Sequence, residues 1–395
     1  MTSSARPLLN RRLAEFGTTI FAEMSALALQ TGSINLGQGF PDTDGPEEVR
    51  EAAVRALRDG RGNQYPPGPG IPELRTAIAA HQERRYGLSY EPDTEVLVTA
   101  GATEAIAATL LALVEPGDEV VALEPYYDSY AACIAMAGGT RVPVTLRPHE
   151  GSFRLDLDEL RAAVTDRTRL LLINTPHNPT GTVLTREELT TIAELAVERD
   201  LLVVTDEVYE HLVFGEAEHV PLATFPGMRE RTVSIGSAGK TFSFTGWKVG
   251  WVTAAPALVS AVRSAKQYLT YVASGPFQYA VAEALALPDS YFSAFRDDML
   301  AKRDLLATGL AEARAGGRRR HPERRLLRPP GGGRPLRPLR VLQADKRARR
   351  GGGPAQGTGR LTATDVPAYV PATRPGGSEP PRTLTPLPPG RPGHR

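Results

Sequence analysis

Short apolar runs alternate with helical patterns along most of the chain. The apolar runs occupy residues 95–100, 119–123, 169–174, 201–205, 233–235 and 249–252. Apolar runs without alternating polar positions are typical of strands that are buried on both faces, and such strands belong to mainly parallel sheets. The pattern therefore predicts an α/β fold in which a mainly parallel sheet lies between two helix layers.

Helical periodicity fills the segments between these runs. One helix is predicted over residues 103–114, and a second predicted helix ends near Gly138. A capping box formed by Thr185 and Glu188 predicts the start of another. Residues 291–315 are predicted to form one long helix, because apolar side chains recur there on one stripe. That stripe consists of Phe292, Phe295, Met299, Leu306 and Leu310.

Residues 316–395 differ in composition from the rest of the chain. They contain 17 Arg and one Lys against four acidic residues, and they hold 15 of the 34 Pro and 14 of the 38 Gly. The formal net charge is +14 in this segment and −13 in residues 1–315, although the whole chain carries +1. Because such a composition cannot bury enough apolar surface to offset chain entropy, we expect disorder in this tail.

Two interpretations of the tail are open: a natural basic segment that binds polyanions, and translation in a shifted reading frame. One permitted codon string for residues 322–329, read one nucleotide later, encodes Pro-Ser-Gly-Gly-Tyr-Phe-Val, which is typical of a turn followed by a strand. We therefore favour the frameshift hypothesis. We expect no nucleic-acid partner, because the basic residues lack interleaved aromatic side chains.

Composition also limits where the protein can act. No apolar run approaches the roughly 20 residues that a membrane-spanning helix needs, and residues 1–12 are not followed by the apolar core of a signal peptide. Cys133 is the only cysteine, which excludes an intramolecular disulfide and a cysteine-based metal site. The sequence predicts a cytoplasmic protein without a membrane partner.

Small turns and aromatic residues follow the carboxyl ends of the predicted strands, where open α/β sheets bind ligands. The turn that contains Ala102 and Thr103 leads into a helix whose free N–H groups can bind a phosphate. Tyr126 and Tyr127 follow the next strand and can place a ring on a flat heterocycle. Ordinary turn formation and core packing are the alternative interpretations of these residues.

Two further motifs follow the third and fourth runs. Asn178 begins an Asn-Pro-Thr-Gly turn, and Asp206 lies three residues before Tyr209. A carboxylate in that position can pair with a protonated ring nitrogen, and a phenol nearby can hydrogen-bond a ring hydroxyl. A structural turn and a helix cap are again alternatives.

Lys240 lies among small residues and hydroxyls in the segment 237–248, which ends in a second amine, Lys248. A reactive amine close to a phosphate-binding cation is what covalent binding of the aldehyde cofactor pyridoxal phosphate (PLP) requires. The segment, together with the ordered motifs before it, therefore predicts a PLP-dependent enzyme.

Five motifs together resemble the fold-type I, class I/II aminotransferases, nearest to the branch with kynurenine, glutamine, methionine and N-succinyldiaminopimelate aminotransferases. The motifs are Asn-Leu-Gly-Gln-Gly-Phe-Pro-Asp at 35–42, Asn-Gln-Tyr-Pro-Pro-Gly at 63–68, Asn-Pro-Thr-Gly at 178–181, Asp-Glu-Val-Tyr at 206–209 and Ser-x-x-Lys at 237–240. The resemblance covers about residues 10–315.

The resemblance implies the PLP-dependent transferase fold, with a mainly parallel seven-stranded sheet and a small α/β domain that is incomplete in this chain. The implied division is an N-terminal arm with the start of the small domain (1–45), a large PLP-binding domain (46–290), a helix that leads into the small domain (291–315) and the aberrant tail (316–395).

The resemblance also implies a role for each site residue. Lys240 is the Schiff-base lysine, and Asp206 pairs with the pyridinium nitrogen. The ring hydroxyl is bonded by Asn178 and Tyr209, and Tyr126 stacks on the ring. The phosphate is held by Ala102, Thr103, Ser237, Lys248 and, from the neighbouring subunit, Tyr65. Gly37 and Asn178 are substrate-binding, with the Gly37 backbone on the substrate carboxylate, while Phe21 and Tyr271 are candidate pocket walls.

The implied reaction is transamination between an L-amino acid and a 2-oxo acid, with 2-oxoglutarate as the expected acceptor. It follows a ping-pong cycle through a Lys240 aldimine, and shared active sites imply a homodimer. Two alternatives are a PLP-dependent C–S β-lyase, which shares the fold and the lysine, and an inactive product with a nucleic-acid-binding basic tail.

One residue that the resemblance requires is missing. Class I/II aminotransferases bind the substrate α-carboxylate with an arginine near the C-terminus, in a strand of apolar and aromatic residues. No arginine within residues 316–395 has that sequence context. Because an arginine fork is the usual means of gripping a carboxylate, the chain as written is predicted to bind substrate poorly.

Overall fold

The computed structural model describes residues 8–39, 41 and 43–320. Within these residues the strands are β1 (Val96–Thr99), β2 (Glu119–Glu124), β3 (Thr140–Thr145), β4 (Arg147–His149), β5 (Ser152–Arg154), β6 (Thr168–Asn174), β7 (Leu202–Asp206), β8 (Thr232–Ser237) and β9 (Gly250–Thr253).

The α-helices of the same residues surround these strands. They are α1 (Ile20–Thr31), α2 (Glu47–Arg58), α3 (Pro72–Tyr86), α4 (Ala102–Leu113), α5 (Ser129–Ala137), α6 (Leu157–Ala163), α7 (Arg186–Glu198), α8 (Ala238–Thr241), α9 (Pro256–Lys266), α10 (Gly275–Leu285) and α11 (Asp289–Arg320).

Seven strands form one sheet in the order β1-β9-β8-β7-β6-β2-β3. The pairs β2–β3, β2–β6, β6–β7 and β7–β8 are parallel, whereas β9 runs antiparallel to both of its neighbours. β4 and β5 form a separate antiparallel hairpin. The predicted α/β class with a mainly parallel seven-stranded sheet is confirmed.

Both faces of this sheet are buried, as the unbroken apolar runs predict. In β2, Val120 and Ala122 point into one apolar cluster, which α4, α5 and α9 cover. Their neighbours Val121 and Leu123 point into another cluster, which α6 and α7 cover. Because successive side chains of a strand face opposite sides, a helix layer on each face buries every residue of β2 from Glu119 to Leu123.

The capping box that the sequence predicts is formed at the start of α7. Thr185 Oγ1 accepts a hydrogen bond from the backbone N–H of Glu188, and the Glu188 carboxylate accepts one from the backbone N–H of Thr185 at 2.7 Å. This reciprocal pair satisfies two N–H groups that a helix start otherwise leaves without partners.

The long C-terminal helix is also present, but its apolar stripe is less covered towards its end. Phe292 and Met299 of α11 are buried, whereas Leu306 is half-buried and Leu310 is 41% exposed. Residues 316–320 are the end of α11, and residues 321–395 lie outside the described residues. The frameshift hypothesis and the search for a carboxylate-binding arginine fall on that segment, and the domain boundaries remain a prediction.

Candidate active site

A cavity of about 280 Å³ opens at the carboxyl edge of the parallel strands. It is lined by residues that follow five strands, together with residues of the N-terminal arm and α8. The lining consists of Phe21, Gln38, Gly39, Gly101, Ala102, Thr103, Ile106, Tyr127, Asn178, Asp206, Val208, Tyr209, Ser237, Gly239, Lys240, Thr245, Lys248 and Val249. Most of the predicted site residues therefore meet in one place.

One end of the cavity is formed by the turn between β1 and α4. Gly101 has φ = +79°, a left-handed conformation that glycine adopts without strain. A Cβ on Gly101 would lie 3.2 Å from Lys248 Nζ, and a Cβ on Gly250 would lie only 2.6 Å from the carbonyl carbon of Gly101. Two glycines thus let the turn, the start of α4 and a lysine amine approach closely, which suits an anionic group.

Asp206 ends β7 with its carboxylate fully inside the protein. The Tyr130 hydroxyl donates to Asp206 Oδ2 at 2.6 Å, and the backbone N–H of Val208 faces Oδ1 at 3.3 Å. Burial raises the pKa of Asp206 from its ordinary 3.8 to about 6, against the opposing effects of these hydrogen bonds and of the Lys240 charge. A cation placed beside this carboxylate would favour its ionised form.

The neighbouring strand β6 fixes the position of Asn178. Asn174, which pairs with Asp206 in the β6–β7 register, donates from its amide to the backbone oxygen of Asp206 at 2.8 Å. Its amide oxygen accepts from the backbone N–H of Asn178 at 2.6 Å. Asn178 Oδ1 is buried without a hydrogen-bond partner among the described residues, so this amide is available to a ligand in the cavity.

Lys240 lies on the short helix α8, which Ser237 caps by accepting from the backbone N–H of Gly239 at 3.2 Å. The Lys240 amine donates to the backbone oxygen of Gly39 at 2.7 Å and lies 5.7 Å from the centre of the Tyr209 ring. The amine therefore faces the cavity between the N-terminal arm and the segment after β7.

The two rings at the end of β2 lie in different places. Tyr127 lines the cavity, whereas Tyr126 does not and is instead bound by Arg141, whose guanidinium lies over the Tyr126 ring and donates to its hydroxyl. Burial raises the pKa of Tyr127, which also hydrogen-bonds Thr103. Two adjacent tyrosines point in different directions here, so sequence alone had no signal with which to choose between them.

The arm shows a similar difference between neighbouring residues. Gly39 and Gln38 line the cavity, whereas Gly37 lies outside the lining and its backbone N–H is already bound to Asn35 Oδ1 at 2.9 Å. The Gly-Gln-Gly motif offers two glycines, and only the path of the chain selects the second.

Tyr65, which is predicted to reach the phosphate of a neighbouring subunit, is another residue outside this cavity. Its side chain does not line the cavity and is 81% exposed, with the Tyr271 ring 5.5 Å from its own. Tyr271 is likewise outside the lining, whereas Phe21, the other predicted pocket wall, is part of it.

Tyr130 is a site residue that the sequence motifs did not indicate. It is fully buried, and burial followed by the charge of Asp206 raises its pKa well above the ordinary value. It therefore remains the proton donor to Asp206. Its only sequence signal is its position three residues after Tyr127, whose ring lies edge-on at 5.7 Å from the Tyr130 ring.

The residues of the cavity fit PLP. The same space is lined by two amines, a buried carboxylate, an amide oxygen without a hydrogen-bond partner among the described residues, and a glycine turn that no side chain fills. Fold and cavity together define a PLP-binding protein of the aminotransferase type.

Within the part of the chain that the structure describes, no helix is long and apolar enough to cross a membrane.

Comparison with known proteins agrees with this assignment. The family model for aminotransferase class I and II matches residues 31–324. A probable N-succinyldiaminopimelate aminotransferase of Mycobacterium tuberculosis is 58% identical over 301 residues, which are 76% of each chain. A kynurenine–oxoglutarate transaminase of Dictyostelium discoideum is 38% identical over 330 residues, 79% of this chain and 75% of that one.

Among solved structures, that of N-succinyldiaminopimelate aminotransferase from Mycobacterium tuberculosis superposes with a TM-score of 0.76 and 58% identity, over 77% of this chain and 79% of the other. The chain belongs to the class I and II aminotransferases. It is an enzyme that uses PLP to transfer an amino group between an amino acid and a 2-oxo acid.

Proposed function

We propose that Lys240 is the lysine that binds PLP covalently and that Asp206 holds a positive charge on the cofactor's ring nitrogen. The proposal is supported by one observation above others: a buried carboxylate and a lysine amine line the same cavity, and the carboxylate's raised pKa calls for a cationic partner. When bound, PLP withdraws electrons from the substrate Cα.

The chain's other residues bind and orient in this proposal. The turn before α4 holds the phosphate, with Ala102, Thr103, Ser237 and Lys248, where Lys248 acts as a point charge. Asn178 and Tyr209 bond the ring hydroxyl, and Tyr127 packs on the ring face. The Lys240 amine would take the proton from the substrate Cα, since the other amine of the lining, Lys248, lies against the turn before α4.

Replacement of the lysine tests this assignment. Lys240→Ala is expected to lose nearly all turnover, and borohydride reduction of wild-type holoprotein followed by peptide mass analysis should find a pyridoxyl group on Lys240. Lys302→Ala, a lysine of α11 that pairs with Asp298, is the matched control and should behave as wild type. Normal turnover in Lys240→Ala, or a pyridoxyl group on another lysine, would reject the assignment.

We further propose a cytoplasmic homodimer in which Tyr65 reaches the partner's phosphate. The exposed fractions of Tyr65, Tyr268 and Tyr271 are 81%, 85% and 56%, which are high values for aromatic residues. Large exposed rings mark interaction surfaces. Sedimentation should give the mass of two chains, and Tyr65→Phe should weaken PLP binding without changing that mass. A monomer with full PLP affinity would refute the shared site.

For the substrates we propose N-succinyl-diaminopimelate as amino donor and 2-oxoglutarate as acceptor. Support comes from the names of the similar proteins, at 58% and 38% identity respectively. A panel of donors that also includes methionine, glutamine and kynurenine, each with 2-oxoglutarate, tests the choice by kcat/KM. A higher kcat/KM with another donor would reject N-succinyl-diaminopimelate as the amino donor. Release of pyruvate and ammonia without any acceptor would instead indicate a β-lyase.

A further inference from the structure

A second polar cluster lies behind the active site. It consists of His81 on α3 and of Glu210 and His211, which follow the segment from Asp206 to Tyr209. His81 and Glu210 are 2% and 7% exposed, and the side chain of His211 is 7% exposed. We name these three residues the His–Glu–His cluster. No role in PLP binding falls to it, because none of its members lines the cavity.

The potential ligand atoms of this cluster converge. The Nε2 atoms of His81 and His211 lie 3.2 Å apart. Glu210 Oε1 lies 3.8 Å from His81 Nε2 and 3.7 Å from His211 Nε2. Ligand atoms bound to one zinc ion at about 2.0–2.1 Å in tetrahedral geometry lie roughly 3.3 Å apart. The two distances from Glu210 Oε1 therefore need to shorten only slightly for the three atoms to bind one ion.

Hydrogen bonding explains this arrangement less well. The two imidazoles can share one proton across 3.2 Å, but 3.7 and 3.8 Å exceed the length of a hydrogen bond from either ring to Glu210 Oε1. Hydrogen bonds among the three side chains therefore account for only one side of the triangle.

The surroundings orient the Glu210 carboxylate and shield the point where the three atoms converge. The Tyr86 hydroxyl donates to Glu210 Oε2 at 2.5 Å, which orients the carboxylate and leaves Oε1 directed at the imidazoles. The Phe292 ring lies 4.4 Å from the His211 ring and shields the cluster. The nearby guanidinium of Arg85, which pairs with Asp289 at 2.9 Å, is a positive charge whose repulsion of an ion the Glu210 carboxylate has to outweigh.

We propose that His81, Glu210 and His211 bind one divalent transition-metal ion of the zinc type, through two imidazole nitrogens and one carboxylate oxygen. Three protein ligands leave a fourth position for water. The ion joins α3 to the segment that carries Asp206 and Tyr209, so its role is to fix that segment beneath the cofactor rather than to take part in the reaction.

The test uses the full chain with PLP bound, treated with a chelator and then titrated with CoCl₂ or ZnCl₂. We expect one cobalt ion per chain with the intense visible absorption of a four-coordinate site, and a thermal midpoint that rises with zinc concentration. His81→Gln and His211→Gln should lower the metal affinity at least tenfold. His149→Gln, at an exposed histidine outside the cluster, should leave it unchanged.

Wild-type protein that takes up no ion and shows no spectral change would overturn the proposal. So would equal affinity in wild type and His81→Gln, which would mean that the ion binds elsewhere. If either cluster variant does not fold, zinc X-ray absorption on the wild type decides. Two imidazoles and an oxygen in the coordination shell support the site, and any shell without two imidazoles rejects it.

Discussion

Replacing Asp206 with asparagine should stabilise the cofactor-free protein while it abolishes activity. The buried carboxyl has a pKa of about 6 in place of 3.8, and each tenfold change in acid dissociation is worth about 1.4 kcal/mol. The ionised form therefore costs the folded apoprotein about 3 kcal/mol. Asparagine keeps the shape of the side chain and carries no charge at any pH.

The sign of the effect follows from linkage. A folded-state pKa above the unfolded value means that the folded protein holds the proton more tightly, so stability is present below the unfolded pKa and is lost as pH rises through about 6. We expect the difference in unfolding free energy between Asp206→Asn and wild type to grow from near zero at about pH 4 towards about 3 kcal/mol at about pH 8.

Urea unfolding of the two apoproteins, followed by tryptophan fluorescence across this pH range, measures that difference. Asp166→Asn, at an exposed aspartate remote in sequence from the site motifs, is the matched control and should show no such pH dependence. A difference between Asp206→Asn and wild type that stays constant with pH would refute the reasoning, because it would mean that the carboxyl titrates alike in the folded and unfolded chains.

Three more substitutions test separate contacts. Tyr130→Phe removes the hydrogen bond that favours ionised Asp206, so the acid limb of the pH profile of kcat/KM should move to higher pH; an unmoved limb would contradict this. Gly250→Ala should weaken PLP binding at least tenfold, because the added Cβ displaces the turn before α4. The control is Gly246→Ala, at an exposed glycine where a Cβ meets nothing within 4 Å, and it should bind PLP like wild type. Equal PLP affinities of the two variants would contradict this. Lys266→Met leaves two backbone oxygens without their buried donor and should cost about 1–3 kcal/mol for each in urea unfolding; a change below that range would count against it.

β3 and the β4–β5 hairpin were not predicted. β3 contains Pro143 and mixes exposed, half-buried and buried positions at the edge of the sheet. Edge strands lack the unbroken apolar run that marked the central strands. That Tyr127 and Gly39 line the cavity while Tyr126 and Gly37 do not has another cause: neighbouring residues of similar chemistry differ only in the direction that the folded backbone gives them.

The sequence by itself determined the sheet, its helix layers and the order of the cofactor motifs, because apolar periodicity and turn residues are local properties of the chain. Only the tertiary structure decided which side chains enter the cavity, that Tyr130 supports Asp206, and that His81 meets Glu210 and His211 across more than a hundred residues. Those relations depend on packing between distant segments, and burial then sets the charge state of Asp206, which no local pattern encodes.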